Sequence, residues 1–140
     1  MRFLVLSLML LMIGGCATSQ VSFNKAKSVP EDRILLKTEG KYQFTVIRDE
    51  GWTGSGCYAD LYIDEQPAAK FESGEKATFM TDDNRVMLKV ANSGAALCSF
   101  DGGTNYYEAF LEVDKHKIYR IHINYDGAGL QILAGGIYKN

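Results

Sequence analysis

From residue 42 onwards the chain alternates apolar and polar positions in short blocks. In 42–47, Tyr42, Phe44 and Val46 alternate with Gln43 and Thr45, the pattern of a half-buried strand. The block 57–63 is the clearest. Cys57, Ala59, Leu61 and Ile63 share one face, while Tyr58, Asp60, Tyr62 and then Asp64 share the other. The first set faces the core, because a slip of one residue would bury two aspartates. Further strands are predicted at 68–71, 76–80, 85–90, 106–113, 118–125 and 130–134. Within them Val86, Leu88 and Val90 share a side, as do Tyr107, Ala109, Leu111 and Val113, and Tyr119, Ile121, Ile123 and Tyr125. The charged turn 114–117 makes 106–113 and 118–125 an expected hairpin. The short apolar run 33–36 reads as a first strand, with a helical turn as the alternative.

Gly, Asp and Asn mark turns between these blocks at 48–51, 64–67, 73–75, 81–84, 101–103 and 126–129. Turns this frequent, with alternating strands between them, predict an all-β fold. The expectation is a small antiparallel β-sandwich, with a small barrel as the other closed solution. No amphipathic helix is expected after residue 16, which argues against a parallel α/β domain.

The N-terminus departs from this pattern. Met1-Arg2 is followed by an apolar run over 3–13, then Gly14-Gly15-Cys16. Eleven residues are too few to span a bilayer, which takes about twenty. Leu11-Met12-Ile13-Gly14-Gly15-Cys16 resembles the lipobox of bacterial lipoproteins, in which the signal is cut before a cysteine that carries the lipid. A plain secretory signal would also accept the two glycines, but it gives no reason for a thiol in the first mature position. The expected division is a cleaved signal over 1–15, a lipidated Cys16 with a flexible tether over 16–29, and the β-sandwich over 30–140, with Pro30 at the boundary. The segment 17–29 is small and polar, and as a free chain would reach about 20 Å. By the same resemblance, Ala17 rather than Asp after the cysteine implies an outer-membrane address, facing the periplasm. The partner this implies is the lipid bilayer, held through acylated Cys16.

A second resemblance lies in the domain itself. Ile47-Arg48-Asp49, the glycine-rich 51–56, Tyr62-Ile63-Asp64 and Ser73-Gly74-Glu75-Lys76 resemble small bacterial lipoproteins with a domain of the DUF2846 or PEGA-like type. This covers about residues 30–98. It implies an Ig-like or PEGA-like β-sandwich in the envelope, and carries no catalytic residues to transfer. The usual Asp-Gly of the central turn is Asp64-Glu65 here.

Charge adds an exclusion. Fifteen Lys and Arg stand against seventeen Asp and Glu, a net charge of −2, and loss of Arg2 with the signal makes the chain more acidic. Without a basic patch, nucleic acid is not an expected partner. With Cys16 assigned to lipid, Cys57 and Cys98 remain in an oxidising compartment, where a disulfide persists. Two buried free thiols are the alternative. No metal site is expected, since neither cysteine has a Cys or His neighbour at ligand spacing.

No cofactor and no catalytic residue is expected. Gly54-Ser55-Gly56-Cys57-Tyr58-Ala59 spells a dinucleotide loop, but a strand follows where a helix is needed. His116 sits in a charged turn, and His122 shares an outward face with Arg120 and Asn124. The Asp82-Asp83-Asn84 and 101–105 clusters read as ordinary turns. Binding residues are sought among exposed aromatics. Trp52, in its glycine-rich loop, is the leading contact residue. Tyr58 and Tyr62 follow on the outward face of their strand. Tyr106 and Phe110 share another outward face, which a second layer is expected to cover. The expected function is a non-enzymatic binding or structural module, meeting another envelope protein or a cell-wall component. The alternative is an inhibitor of a host or rival cell-wall hydrolase, like the lysozyme-inhibitor lipoproteins, using the loop from Trp52 to Ser55.

Overall fold

The computed structural model describes residues 18–51, 56–94, 98, 103–124 and 129–139. Among the described residues nine strands follow in chain order: β1 (Lys27–Ser28), β2 (Tyr42–Arg48), β3 (Tyr58–Ile63), β4 (Gln66–Phe71), β5 (Glu75–Thr81), β6 (Arg85–Ser93), β7 (Thr104–Phe110), β8 (His116–Asn124) and β9 (Gly129–Tyr138). They form two sheets, ordered β1-β5-β2-β8-β9 and β4-β3-β6-β7. The domain is an all-β sandwich, as the alternation predicts.

The core lies between the sheets. Phe44, Val46, Phe79, Tyr119 and Ile121 from the five-stranded sheet meet Leu61, Phe71, Val86, Leu88 and Val90 from the four-stranded one. Period-two alternation places each set on one face. Phe44 packs against Phe79 and Tyr119 with ring centroids 5.8 and 6.0 Å apart. In β3, Ala59, Leu61 and Ile63 point inward and Tyr58, Asp60 and Tyr62 outward, as read from the pattern. The β3–β4 turn puts Asp64 at φ 48° and Glu65 at φ 66°. Two consecutive left-handed residues are what a two-residue hairpin of this twist requires, and the sequence meets that need without glycine.

Four expectations are corrected. The hairpin of 106–113 with 118–125 does not exist. β7 pairs with β6 and β8 with β2 and β9, so 111–115 carries the chain from one sheet to the other. Alternation reports which face is buried, and is silent on which strand lies alongside. Val113, expected on a buried side, lies in that crossover and is 57% exposed. Second, the sandwich is not antiparallel throughout. β2 runs parallel to β8, and β1 parallel to β5. Third, 33–36 forms no strand. The chain makes a 3₁₀ turn over Glu31–Arg33 after Pro30, then a single bridge from Ile34 to Ala69.

The fourth correction concerns the tether. Residues 18–29 are docked on the outer face of the five-stranded sheet. Ser19 and Glu50 exchange two backbone hydrogen bonds of 2.7 and 3.0 Å. Val21 and Ala26 are buried with Ile47 and Ile118 in a second, smaller apolar cluster, against which Phe23 and Tyr138 pack. Phe23 stacks on Tyr138 at 4.0 Å, and β1 adds an edge to β5. β2 is therefore buried on both faces from Phe44 to Arg48 rather than half-buried. Val21, Phe23, Ala26 and Val29, the last packing into the main core, betray this docking in an otherwise polar segment.

Candidate functional site

The outer face of the four-stranded sheet carries the exposed aromatic side chains. The register sets Tyr62, Lys89 and Tyr106 side by side across β3, β6 and β7. The Lys89 ammonium lies 4.6 Å from the Tyr62 ring centroid and 5.8 Å from that of Tyr106. It also holds the Glu65 carboxylate at 2.7 Å, and that hydrogen bond raises the Lys89 pKa. Lys89 thus bridges two aromatic faces by cation–π attraction. One step along the strands, Met87 opposes Glu108; beyond it, Arg85 opposes Phe110. Tyr106 is 55% and Phe110 57% exposed. The cover expected over this pair is not there among the described residues. Tyr58 lies on the same face but is half-buried, with the Arg33 guanidinium 5.4 Å over its ring. Arg33 in turn makes two hydrogen bonds to buried Glu75, at 2.9 and 2.6 Å.

A groove of about 300 Å³ opens beside this face, where β7 parts from β8 and β9. Tyr107, Phe110, Lys117, Tyr119, Ala134 and Ile137 line it. Lys117 is already engaged, donating to the Phe110 carbonyl at 2.6 Å and lying 3.0 Å from Glu112. Burial pushes the Tyr119 hydroxyl up to about 12, so it stays neutral and can only hydrogen-bond. With its cation paired and its phenol neutral, the groove suits an apolar or aromatic side chain better than an anion. Exposed Phe110 and Ile137 extend the apolar surface out of it.

A second polar constellation sits beneath the docked N-terminal segment. Asp49 is buried at the end of β2. Its Oδ1 accepts from Arg120 Nη1 at 2.6 Å and its Oδ2 lies 3.0 Å from His122 Nδ1. The same two residues hold the Val21 backbone, Asp49 accepting its N–H at 3.3 Å and Arg120 donating to its carbonyl at 2.9 Å. A carboxylate on His Nδ1 is the orienting half of a catalytic triad. Among the described residues, however, no hydroxyl or thiol is hydrogen-bonded to His122, and Arg120 shares the carboxylate. The geometry is that of a clasp on the N-terminal segment. The outward face that the pattern assigns to Arg120 and His122 is covered by this segment, and Arg120 is buried. The apolar Val21 upstream and Ile47 beside them were the signals that this face is covered.

His116 lies elsewhere, its Nε2 2.7 Å from the Thr45 hydroxyl, which is 2.7 Å from that of Thr78. Its rings of contact are Phe23 and Tyr138, and burial lowers its pKa. Cys57 and Cys98 are joined, with S–S 2.08 Å and Cα–Cα 5.5 Å. Beside them Arg48 bridges the sheets, donating to the carbonyls of Cys57 at 2.6 Å and Phe71 at 2.7 Å. Burial pulls its pKa down to about 10, which leaves it a cation at neutral pH. Cys16 and Trp52 lie outside the described residues.

Together these features define a two-sheet β-sandwich stapled by one disulfide, a bond that points to an oxidising compartment outside the cytoplasm. Compared with protein families, curated proteins and solved structures, the chain finds no match.

Proposed function

We propose that this chain is a lipid-anchored lipoprotein of the bacterial envelope that works without catalysis, by binding another envelope component. The reading that carries the finer identity is the lipobox-like Leu11-Met12-Ile13-Gly14-Gly15-Cys16, with acylation at Cys16 and an outer-membrane address facing the periplasm. The PEGA-like resemblance of 30–98 is of a piece with a small β-sandwich held there.

The observation that carries the binding role is the open face bearing Tyr62, Lys89, Tyr106 and Phe110, continuous with the groove at Tyr107 and Ile137. Tyr, Phe and Met are favoured where proteins meet, and Met87, Tyr106, Phe110 and Ile137 are all exposed here. The partner supported best is a protein that inserts an apolar or aromatic side chain into the groove and lays a polar rim over Lys89, Glu65 and Glu108.

The test is photo-crosslinking in intact cells from a reactive residue at Phe110, with one at exposed Glu72, on the β4–β5 turn at the opposite end of the sandwich, as a control. A partner captured from Phe110 and absent from Glu72 supports the reading. No Phe110-specific product rejects it. The hydrolase-inhibitor alternative rests on residues 52–55, outside the described part. Loss of muramidase activity at stoichiometric protein would favour it instead.

A further inference from the structure

We propose that the domain sits directly on the lipid headgroups by one end of the sandwich, and so holds its groove away from the membrane. This rests on the Cys16 anchor proposed above. The observation is how close to Cys16 in sequence the chain is held to the domain. Thr18 is already fixed, its Oγ1 donating to the Ile123 carbonyl at 2.6 Å, and Ser19 is paired with Glu50. Only Ala17 lies between Cys16 and Thr18, and the two Cα-to-Cα steps span about 7 Å when fully extended. The headgroup layer on one side of a bilayer is about 5–8 Å thick, from the difference between total and hydrocarbon thickness. The chain can therefore cross the headgroups, but it leaves no space for a water layer between them and the domain.

The topology decides which surface is presented. β2 ends beside Thr18, and so does β8, which runs parallel to it. Arg48, at the end of β2, binds the Cys57 carbonyl before β3 and the Phe71 carbonyl at the end of β4, and its own carbonyl accepts from Gly74. The β4–β5 turn with Glu72 and the disulfide therefore belong to this same end. The Asp64-Glu65 turn, the β5–β6 turn with Asp83, and the groove belong to the other. Measured along β9 from Gly129 to Ile137, the groove stands roughly 25 Å further out, at about 3.3 Å per residue.

Among the described residues, this end carries exposed Glu50 and Glu72 beside exposed Lys27. That set offers anionic lipid no net attraction, so a zwitterionic surface such as phosphatidylethanolamine is the one it fits. Contact there is imposed by the short link, not by charge attraction. The face that a partner must reach, with Phe110 and Ile137, is left open towards the aqueous side.

The experiment uses the full lipidated chain in phosphatidylethanolamine-rich vesicles carrying a headgroup nitroxide quencher. Fluorophores are placed singly at Glu72→Cys and Asp83→Cys, both exposed positions. Mass spectrometry of the protein first reads the lipid on Cys16. Loss of fluorescence at position 72 with none at 83 is the expected result. Lipid on Cys16 with equal quenching at both positions, or with 83 quenched more, overturns the orientation and leaves the anchor standing. An unmodified Cys16 overturns the anchor itself. Neutron reflectometry of the wild-type protein on a supported bilayer needs no variant. It should show protein density starting at the headgroups, and a hydrated gap of about 20 Å, the reach of a free tether, would overturn the proposal.

Discussion

Asp49 and Arg120 form a buried ion pair, 2.6 Å from Oδ1 to Nη1, that also grips the backbone of Val21 on both its N–H and its carbonyl. One charged pair thus fixes the N-terminal segment to the sheet whose strands follow it in the chain. Arg120 comes from β8 and Asp49 from the end of β2, neighbours in parallel register. A charged pair in such a place matters less for its own attraction than for the cost of leaving one member alone.

Asp49→Ala removes the carboxylate and leaves Arg120 buried without its counter-charge. The expected loss of stability is about 3–5 kcal/mol, the range for breaking a buried pair, read from urea unfolding. The same variant should expose the 18–29 segment, so trypsin cleaves earlier at Lys25 and Lys27 while the sandwich remains resistant. Equal loss of protease resistance across the whole chain would show that Asp49 serves the core and not the clasp.

His116 makes stability depend on pH. Burial lowers its pKa below the ordinary 6.5, so around and below that value the unfolded chain binds protons that the folded chain resists. The stability contributed by the neutral ring is present above about pH 6.5 and is lost as pH falls through the lower folded value. In His116→Gln that loss disappears, and the urea midpoint should fall less between about pH 7.5 and about pH 5 than in the wild type. Identical pH profiles in the two proteins would remove His116 from the account.

The Cys57–Cys98 bond closes a sequence separation of 41 residues. Reducing it should cost about 4 kcal/mol in the chain-entropy model, seen as a lower urea midpoint with reductant present. The Cys57→Ala/Cys98→Ala protein should lose a similar amount and become insensitive to reductant. A midpoint unchanged by reduction would mean that Arg48, which ties the same end of both sheets through the Cys57 and Phe71 carbonyls, holds it without help.

Much of this was legible in the chain. β3 could be oriented because Asp60 and Asp64 tolerate only one face, and the outward direction of Tyr58 and Tyr62, both half-buried, followed. What alternation could not reveal was partnership. Tyr107 and Tyr119 face each other across the core with ring centroids 5.6 Å apart, which is the same inward signal a hairpin would give. Nor could it show that Arg120 and His122 turn toward Asp49 beneath Val21. A polar face reads alike whether water or a docked segment covers it. The groove was invisible for a related reason: it arises where β7 and β9, far apart in sequence, diverge.

The final prediction separates binding from folding. Tyr106 and Phe110 are more than half exposed, so truncating them removes little buried area. Tyr106→Ala and Phe110→Ala should each change stability by no more than about 0.5 kcal/mol, the usual range for surface substitutions. If this face is where a partner docks, the Tyr106→Ala/Phe110→Ala protein should nevertheless lose capture of that partner when a crosslinker is placed at Glu108, between them on the same strand. Tyr107→Ala is the contrast. Its ring packs on Tyr119 inside the groove, so it should lose both stability and capture. A double variant that is stable and still captures the partner in full would move the binding surface off this sheet.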